Sequence, residues 1–279
     1  MTQSFDMAAT LTVEVDGAQF IYRKIGPNAG VPVIMLHHLT AVLEDWDPRT
    51  IDGLAQDRPV IIFDNRGVGR STGVTPDNVE AMAQDAAAFI QALGLTQVDL
   101  FGYSLGGFVA QVIAQNHPGL VRRIVLAGTS APGGAGISEM GAVLQNALAR
   151  GKAENKHPKE ILFFPETDDG REASAAFLER LASRKDDRDD AVTMETIVAQ
   201  ITAITKWGLT PAPAALDNIQ HPVFVSTGDV DRMAPTINSV ELFSKLPNAS
   251  LSIFPASGHG AIFQEHAQFL QQVLKFLRA

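Results

Sequence analysis

The chain has 279 residues, of which 46% are hydrophobic and 19% charged. That composition excludes a disordered or fibrous protein and supplies enough apolar surface for a sizeable core. Twenty-two basic against 31 acidic residues leave a net charge of −9, the wrong sign for an electrostatic phosphate-binding surface, so no nucleic-acid partner is expected. The absence of Cys removes a cysteine nucleophile, thiolate zinc and iron–sulfur ligation. No apolar stretch precedes the first basic residue, Arg23, and no run of about 18 apolar residues occurs, so neither a signal peptide nor a membrane span is expected. A cytoplasmic location is the default expectation.

In chain order, Leu11, Val13 and Val15 alternate ahead of Asp16 and Gly17, which predicts an antiparallel hairpin. Short β-branched runs then predict buried parallel strands at 31–36, 60–63, 98–101, 124–126, 223–225 and 251–254. Helical periodicity occupies 78–95, with Asn78 as its cap, 105–116 and 267–277. Strand and helix alternate, the pattern of a mostly parallel α/β sheet.

Successive strand starts lie 29, 38, 26, 99 and 28 residues apart, and the long interval is far more than one crossover needs. A helical insertion at 133–215 accounts for it, leaving a core of 1–132 and 216–279. Gly133, Gly134 and Gly136 mark its entry, and Pro211 and Pro213 its exit. Within it, Met194, Ile197, Val198, Ile201, Ile204 and Trp207 share a helix face that either covers a pocket or packs a small core of its own. The charged run Lys185 to Asp190 reads as a solvated turn.

The chemistry concentrates where the third parallel strand ends. Gly102, Tyr103, Ser104, Leu105 and Gly106 form GxSxG between a predicted strand and a predicted helix, the context of a nucleophile elbow. So tight a turn excludes side chains at the flanking positions and exposes the serine hydroxyl. On these residues the sequence resembles the α/β-hydrolase fold family, and the resemblance spans nearly the whole chain outside the insertion, where that family carries a variable cap. It implies an α/β-hydrolase fold, a mostly parallel twisted sheet of about eight strands flanked by helices.

The resemblance also implies a triad in the order Ser, acid, His. Gly228, Asp229, Val230 and Asp231 match the family's GxxD, which puts the acid at Asp231 with Asp229 as the second choice; Gly128, Thr129 and Ser130 offer no carboxylate at the family's other acid position. Ser257, Gly258, His259 and Gly260 follow the last strand, where the family carries its catalytic histidine. A hydroxyl is a poor nucleophile at neutral pH, so Ser104 needs His259 as base and Asp231 as its orienting acid. His37 and His38 stand where the family has His-Gly, so Leu39 and Leu105 become the expected oxyanion-hole N–H donors, with His38 a departure from Gly that projects a side chain toward the pocket. His38, Tyr103, Trp46 and Trp207 are the candidate substrate-binding residues.

His117, His157, His221 and His266 read as surface residues. Neighbouring strand residues point to opposite faces, so His37 and His38 cannot easily share a metal, and no metal and no cofactor are expected. Gly67, Gly69 and Gly73 miss a dinucleotide fingerprint by one residue. Asp64, Arg66, Gly67, Gly69 and Ser71 instead resemble the family's DxRGxGxS turn.

A serine at the elbow argues against the haloalkane dehalogenases and epoxide hydrolases of this fold, which use aspartate there. The expected function is cleavage of an ester or lactone-type acyl bond. C–C-bond hydrolase, cofactor-free haloperoxidase or perhydrolase, hydroxynitrile-lyase-like chemistry and a weakly catalytic small-molecule receptor all fit the same residues. Phe163, Phe164, Phe177 and Trp207 suggest a small to medium apolar acyl group. Oligomeric state is left open.

Overall fold

The structure, a computed structural model, describes residues 4–211 and 214–279. Pro213, expected at the exit of the insertion, lies outside the described residues. Strands β1 (Thr10–Val15) and β2 (Ala18–Ile25) form the N-terminal hairpin, with Val13 opposite Phe20. Asp16 and Gly17 both adopt the left-handed conformation that a two-residue hairpin turn requires.

Every residue of β3 (Val33–Leu36), β4 (Val60–Phe63) and β5 (Val98–Tyr103) is buried, because helices cover both faces of this part of the sheet. With β6 (Val121–Ala127), β7 (Val223–Gly228) and β8 (Ala249–Phe254) they complete an eight-stranded sheet in the order β1-β2-β4-β3-β5-β6-β7-β8. Among the described residues only β2 runs against the other strands: its pairings with β1 and β4 are antiparallel and the rest are parallel.

Local sequence starts several of the helices. Asp47 accepts from Arg49 N at the head of α1 (Pro48–Leu54), and Asn78 Oδ1 accepts from Ala81 N at the head of α2 (Val79–Ala92). Phe89 of α2 stacks on Phe63 of β4 at 4.1 Å between ring centroids, fixing helix to sheet. Helix α3 (Leu105–Asn116) follows β5 directly, and its first ten residues are buried.

Among the described residues, four α-helices lie between β6 and β7: α4 (Met140–Glu154), α5 (Pro158–Phe163), α6 (Asp168–Leu181) and α7 (Met194–Leu209). The apolar stripe of α7 is divided in its use. Ile204 and Trp207 are buried, whereas Met194 and Val198 are mostly exposed. The charged run 185–190 is not wholly a solvated turn, because the Asp189 side chain is fully buried: its Oδ1 accepts from Arg70 N at 2.6 Å, and its backbone N–H donates to Glu44 at 3.0 Å. The C-terminal part adds α8 (Thr236–Lys245), α9 (Ala261–Gln264) and α10 (His266–Arg278). Among the described residues, no helix is long and apolar enough to cross a membrane.

Candidate active site

Ser104 sits between the last residue of β5 and the first of α3 at φ 54°, ψ −117°, a backbone conformation that an L-residue holds only under constraint. The constraint is visible on both sides. Ser104 N donates to Ala127 O at 2.9 Å, and its carbonyl accepts from Gly107 N and from Thr129 Oγ1, each at 2.8 Å. A Cβ on Gly106 would lie 2.0 Å from Leu36 O, so only glycine lets α3 approach the end of β3 this closely. That approach brings the His37–Thr40 loop beside the serine.

The acid and the imidazole come from the ends of β7 and β8. Asp231 Oδ1 accepts from Met233 N and Ala234 N at 2.8 and 2.9 Å, and its Oδ2 lies 2.8 Å from His259 Nδ1. Both side chains are fully buried. Gly228 permits the juxtaposition, since a Cβ there would fall 2.0 Å from Ser257 O. Asp229 has a different partner: its Oδ1 accepts from Ser257 N at 3.2 Å, so it holds the histidine loop and leaves His259 to Asp231. His259 Nε2 is buried and has no hydrogen-bond partner among the described residues.

Ser104, His259, His38 and Leu39 line one cavity of about 270 Å³. Leu144 and Leu148 of α4, Leu162 and Phe163 of α5, and Ile197 of α7 supply apolar wall from the helices between β6 and β7. The Phe163 ring packs 5.5 Å from that of His259 and 5.3 Å from that of His38, while its carbonyl accepts from Gly260 N at 2.8 Å. At the rim, Lys159 of α5 is ion-paired with Asp45 of the core. Burial, with Lys159 adding to it, holds the His38 imidazole down to a pKa of about 3, and burial holds His37 to about 4, so both rings are neutral at neutral pH.

The sequence profile of the alpha/beta hydrolase fold family matches residues 31–266. The chain belongs to the alpha/beta hydrolase fold family. An alpha/beta hydrolase fold protein from Chitinophaga pinensis superposes with a TM-score of 0.93 at 40% identity, covering 99% of each chain. A Caulobacter segnis protein named "Putative carbamate hydrolase RutD" is 29% identical over 256 residues, 90% of this chain and 93% of its own. The 2-hydroxy-6-oxononadienedioate/2-hydroxy-6-oxononatrienedioate hydrolase of Burkholderia vietnamiensis is 29% identical over 238 residues, 82% and 80% of the two chains.

Within this hydrolase fold, three aromatic residues expected at the substrate are placed elsewhere. Trp46 is buried in the core and donates from Nε1 to His37 Nδ1 at 2.9 Å. Tyr103 lies under the histidine, its ring stacked 5.0 Å from that of His259 and its hydroxyl donating to His259 O at 3.1 Å. Trp207 stacks on Phe108 at 5.1 Å. None of the three lines the cavity, because aromatic bulk is recruited for packing behind the site. His157, expected as an ordinary surface residue, is exposed and caps α5 through Lys159 N, but it also borders the cavity.

Gln200 of α7 escapes notice in the sequence. It accepts from Thr40 N at 2.8 Å, although it is a polar residue on the apolar face that carries Ile197 and Ile204, and that anomaly is the signal for it. Asp45 and Lys159 give no such signal, since a charged pair distant in sequence has no local pattern.

Proposed function

We propose that the protein is a serine hydrolase of small carboxylic acyl substrates, cleaving an ester or lactone bond through an acyl-Ser104 intermediate. The observation that carries the reading is the buried Asp231 carboxylate 2.8 Å from His259 Nδ1, at the wall of a cavity that Ser104 shares. A carboxylate at that nitrogen keeps the proton on Nδ1 and leaves Nε2 as the base.

In this mechanism Ser104 Oγ attacks the acyl carbon as His259 Nε2 takes its proton. The carbonyl oxygen becomes an oxyanion held by the N–H groups of Leu39 and Leu105, each contributing about 3 kcal/mol. Leu105 is the first residue of α3, where an N–H has no intrahelical acceptor, and Leu39 lines the cavity. As the tetrahedral intermediate collapses, the bond to the leaving alkoxide breaks and His259 returns the proton to that oxygen. Water then attacks acyl-Ser104 with His259 again as base, releasing the acid and restoring the serine. The leucine and isoleucine walls support a small to medium apolar acyl group. The helices between β6 and β7 act in this reading as a cap that shields the acyl-enzyme.

Hydrolysis of p-nitrophenyl esters from acetate to octanoate, by wild type and by Ser104→Ala, tests the reading. Turnover by the wild type that Ser104→Ala lacks is expected, and the optimal chain length sizes the cavity. Absence of turnover across the series, or turnover that survives in Ser104→Ala, overturns it.

A further inference from the structure

His38 lines the cavity beside Ser104, yet its hydrogen bonding is only half complete. Its Nδ1 lies 2.8 Å from Leu39 O. A carbonyl oxygen only accepts, so the proton of the neutral ring must sit on Nδ1 and the lone pair on Nε2. That Nε2 is buried and has no partner among the described residues. The residue as a whole is 3% exposed, and its ring is clamped edge-on against Tyr103 and Phe163, each at 5.3 Å between centroids, so it cannot swing out to reach solvent. A buried acceptor without a donor costs roughly 1–3 kcal/mol. Such a cost is recovered only when something brings a donor to it.

We propose that His38 is a specificity-determining residue whose Nε2 accepts a hydrogen bond from an N–H or O–H group that the substrate carries next to its scissile carbonyl. The proposal rests on the acyl-Ser104 reading above. In that reading Leu39 N–H binds the carbonyl oxygen, and His38 is its immediate neighbour in the chain, so a donor one or two bonds from the carbonyl is the part of the substrate presented to the imidazole. The chemistry selected is that of a 2-hydroxyacyl ester or of a carbamate bearing an N–H. A simple alkanoyl ester leaves Nε2 unpaired, and an ether or tertiary amide in the same place sets lone pair against lone pair. Discrimination of this type is strong because the site, not the solvent, must bear the loss.

Two substrate pairs test it. The first is p-nitrophenyl 2-hydroxypropanoate against p-nitrophenyl 2-methoxypropanoate, in which the inductive effects are close and a methyl group replaces the donor hydrogen. The second is phenyl N-methylcarbamate against phenyl N,N-dimethylcarbamate. For each pair the ratio of kcat/KM is measured for wild type, His38→Phe and His38→Leu, so that differences in bulk and intrinsic reactivity within a pair cancel between the proteins. A wild-type ratio about 10 to 100 times that of the variants, in favour of the donor-bearing member of at least one pair, is expected. The pair that responds tells hydroxyl from N–H. Ratios that are the same in wild type and variants for both pairs overturn the inference while the turnover itself leaves the Ser104 reading standing. A ratio that either folded variant retains, with both members slowed alike, overturns it too and makes His38 a scaffold for the Leu39 peptide. Failure of the wild type to turn over any of the four overturns the reading and the inference together.

Discussion

Gln200 Oε1, on helix α7 between β6 and β7, accepts a hydrogen bond of 2.8 Å from the backbone N–H of Thr40, the residue after the proposed oxyanion donor Leu39. Thr40 holds a left-handed φ of 62°, so the loop at this point is constrained and depends on its partners. On one side His38 Nδ1 donates to Leu39 O, and on the other Gln200 receives Thr40 N–H. Helix α7 therefore takes part in shaping the loop beside the serine. Gln200→Leu is expected to lower kcat about tenfold, a fraction of the loss of a whole oxyanion donor, with KM within about twofold. Steady-state kinetics on the preferred p-nitrophenyl ester decides it: a pure KM effect would place Gln200 in substrate binding instead.

The two aspartates after β7 separate by role. Asp231→Asn leaves the shape of the site but puts an amide against His259 Nδ1 and unsettles the tautomer, so kcat is expected to fall by about 10⁴. Asp229→Asn keeps an oxygen for Ser257 N and is expected to stay within a few-fold of wild type. Equal losses in the two variants would contradict this assignment.

The Asp64 carboxyl is pushed well above the ordinary carboxylate range by burial, and then by Asp189 and Glu44, with Arg23 opposing. Two ionised carboxylates only accept hydrogen bonds, so the Asp64–Asp189 contact becomes a bond when Asp64 keeps its proton. His37 Nε2 stands 3.7 Å from Asp64 Oδ1, beyond hydrogen-bond reach. From about pH 4, where an unfolded aspartate titrates, up to its raised native value, the folded state binds a proton that the unfolded state has lost. Stability from this group therefore falls as pH rises through that window, by about 1.4 kcal/mol per unit. Asp64→Asn imitates the protonated form and should flatten the slope. Urea unfolding of both proteins at intervals from pH 4 to 8 measures it, and parallel curves would mean that Asp64 does not carry the proton.

Gly106→Ala places a methyl group 2.0 Å from Leu36 O, where neither backbone can yield cheaply. A loss of about 3 kcal/mol or more is expected in the urea midpoint. Gly119→Ala meets nothing within 4 Å and should change stability by no more than about 0.5 kcal/mol, which makes it the control.

Much of this architecture is legible in the chain because it follows from local rules. β-branched runs such as Val60–Phe63 declare buried strands, and GxSxG between strand and helix declares the turn at Ser104. The hairpin, the sheet and the cap residue Asn78 lie where periodicity and turn chemistry put them. Orientation is what local rules omit. Trp46, Tyr103 and Trp207 are as aromatic as any pocket wall, but a ring's identity does not say whether it faces a cavity or a neighbour, and all three face neighbours. Asp189 is hidden for the opposite reason, since a hydrophilic run looks solvated unless its distant partners Arg70 and Glu44 are known.

Strands β6 and β7 are hydrogen-bonded neighbours, Ile124 beside Val223, although nearly a hundred residues separate them in the chain. The helices between them thus leave and rejoin the sheet at one seam. Replacing, lengthening or shortening them alters a single excursion and leaves every strand pairing in register, at an entropic cost that grows only logarithmically with its length. Leu144, Leu162 and Ile197 can therefore diverge together with the substrates they enclose, while Ser104, Asp231 and His259 stay anchored to strands that the excursion never interrupts.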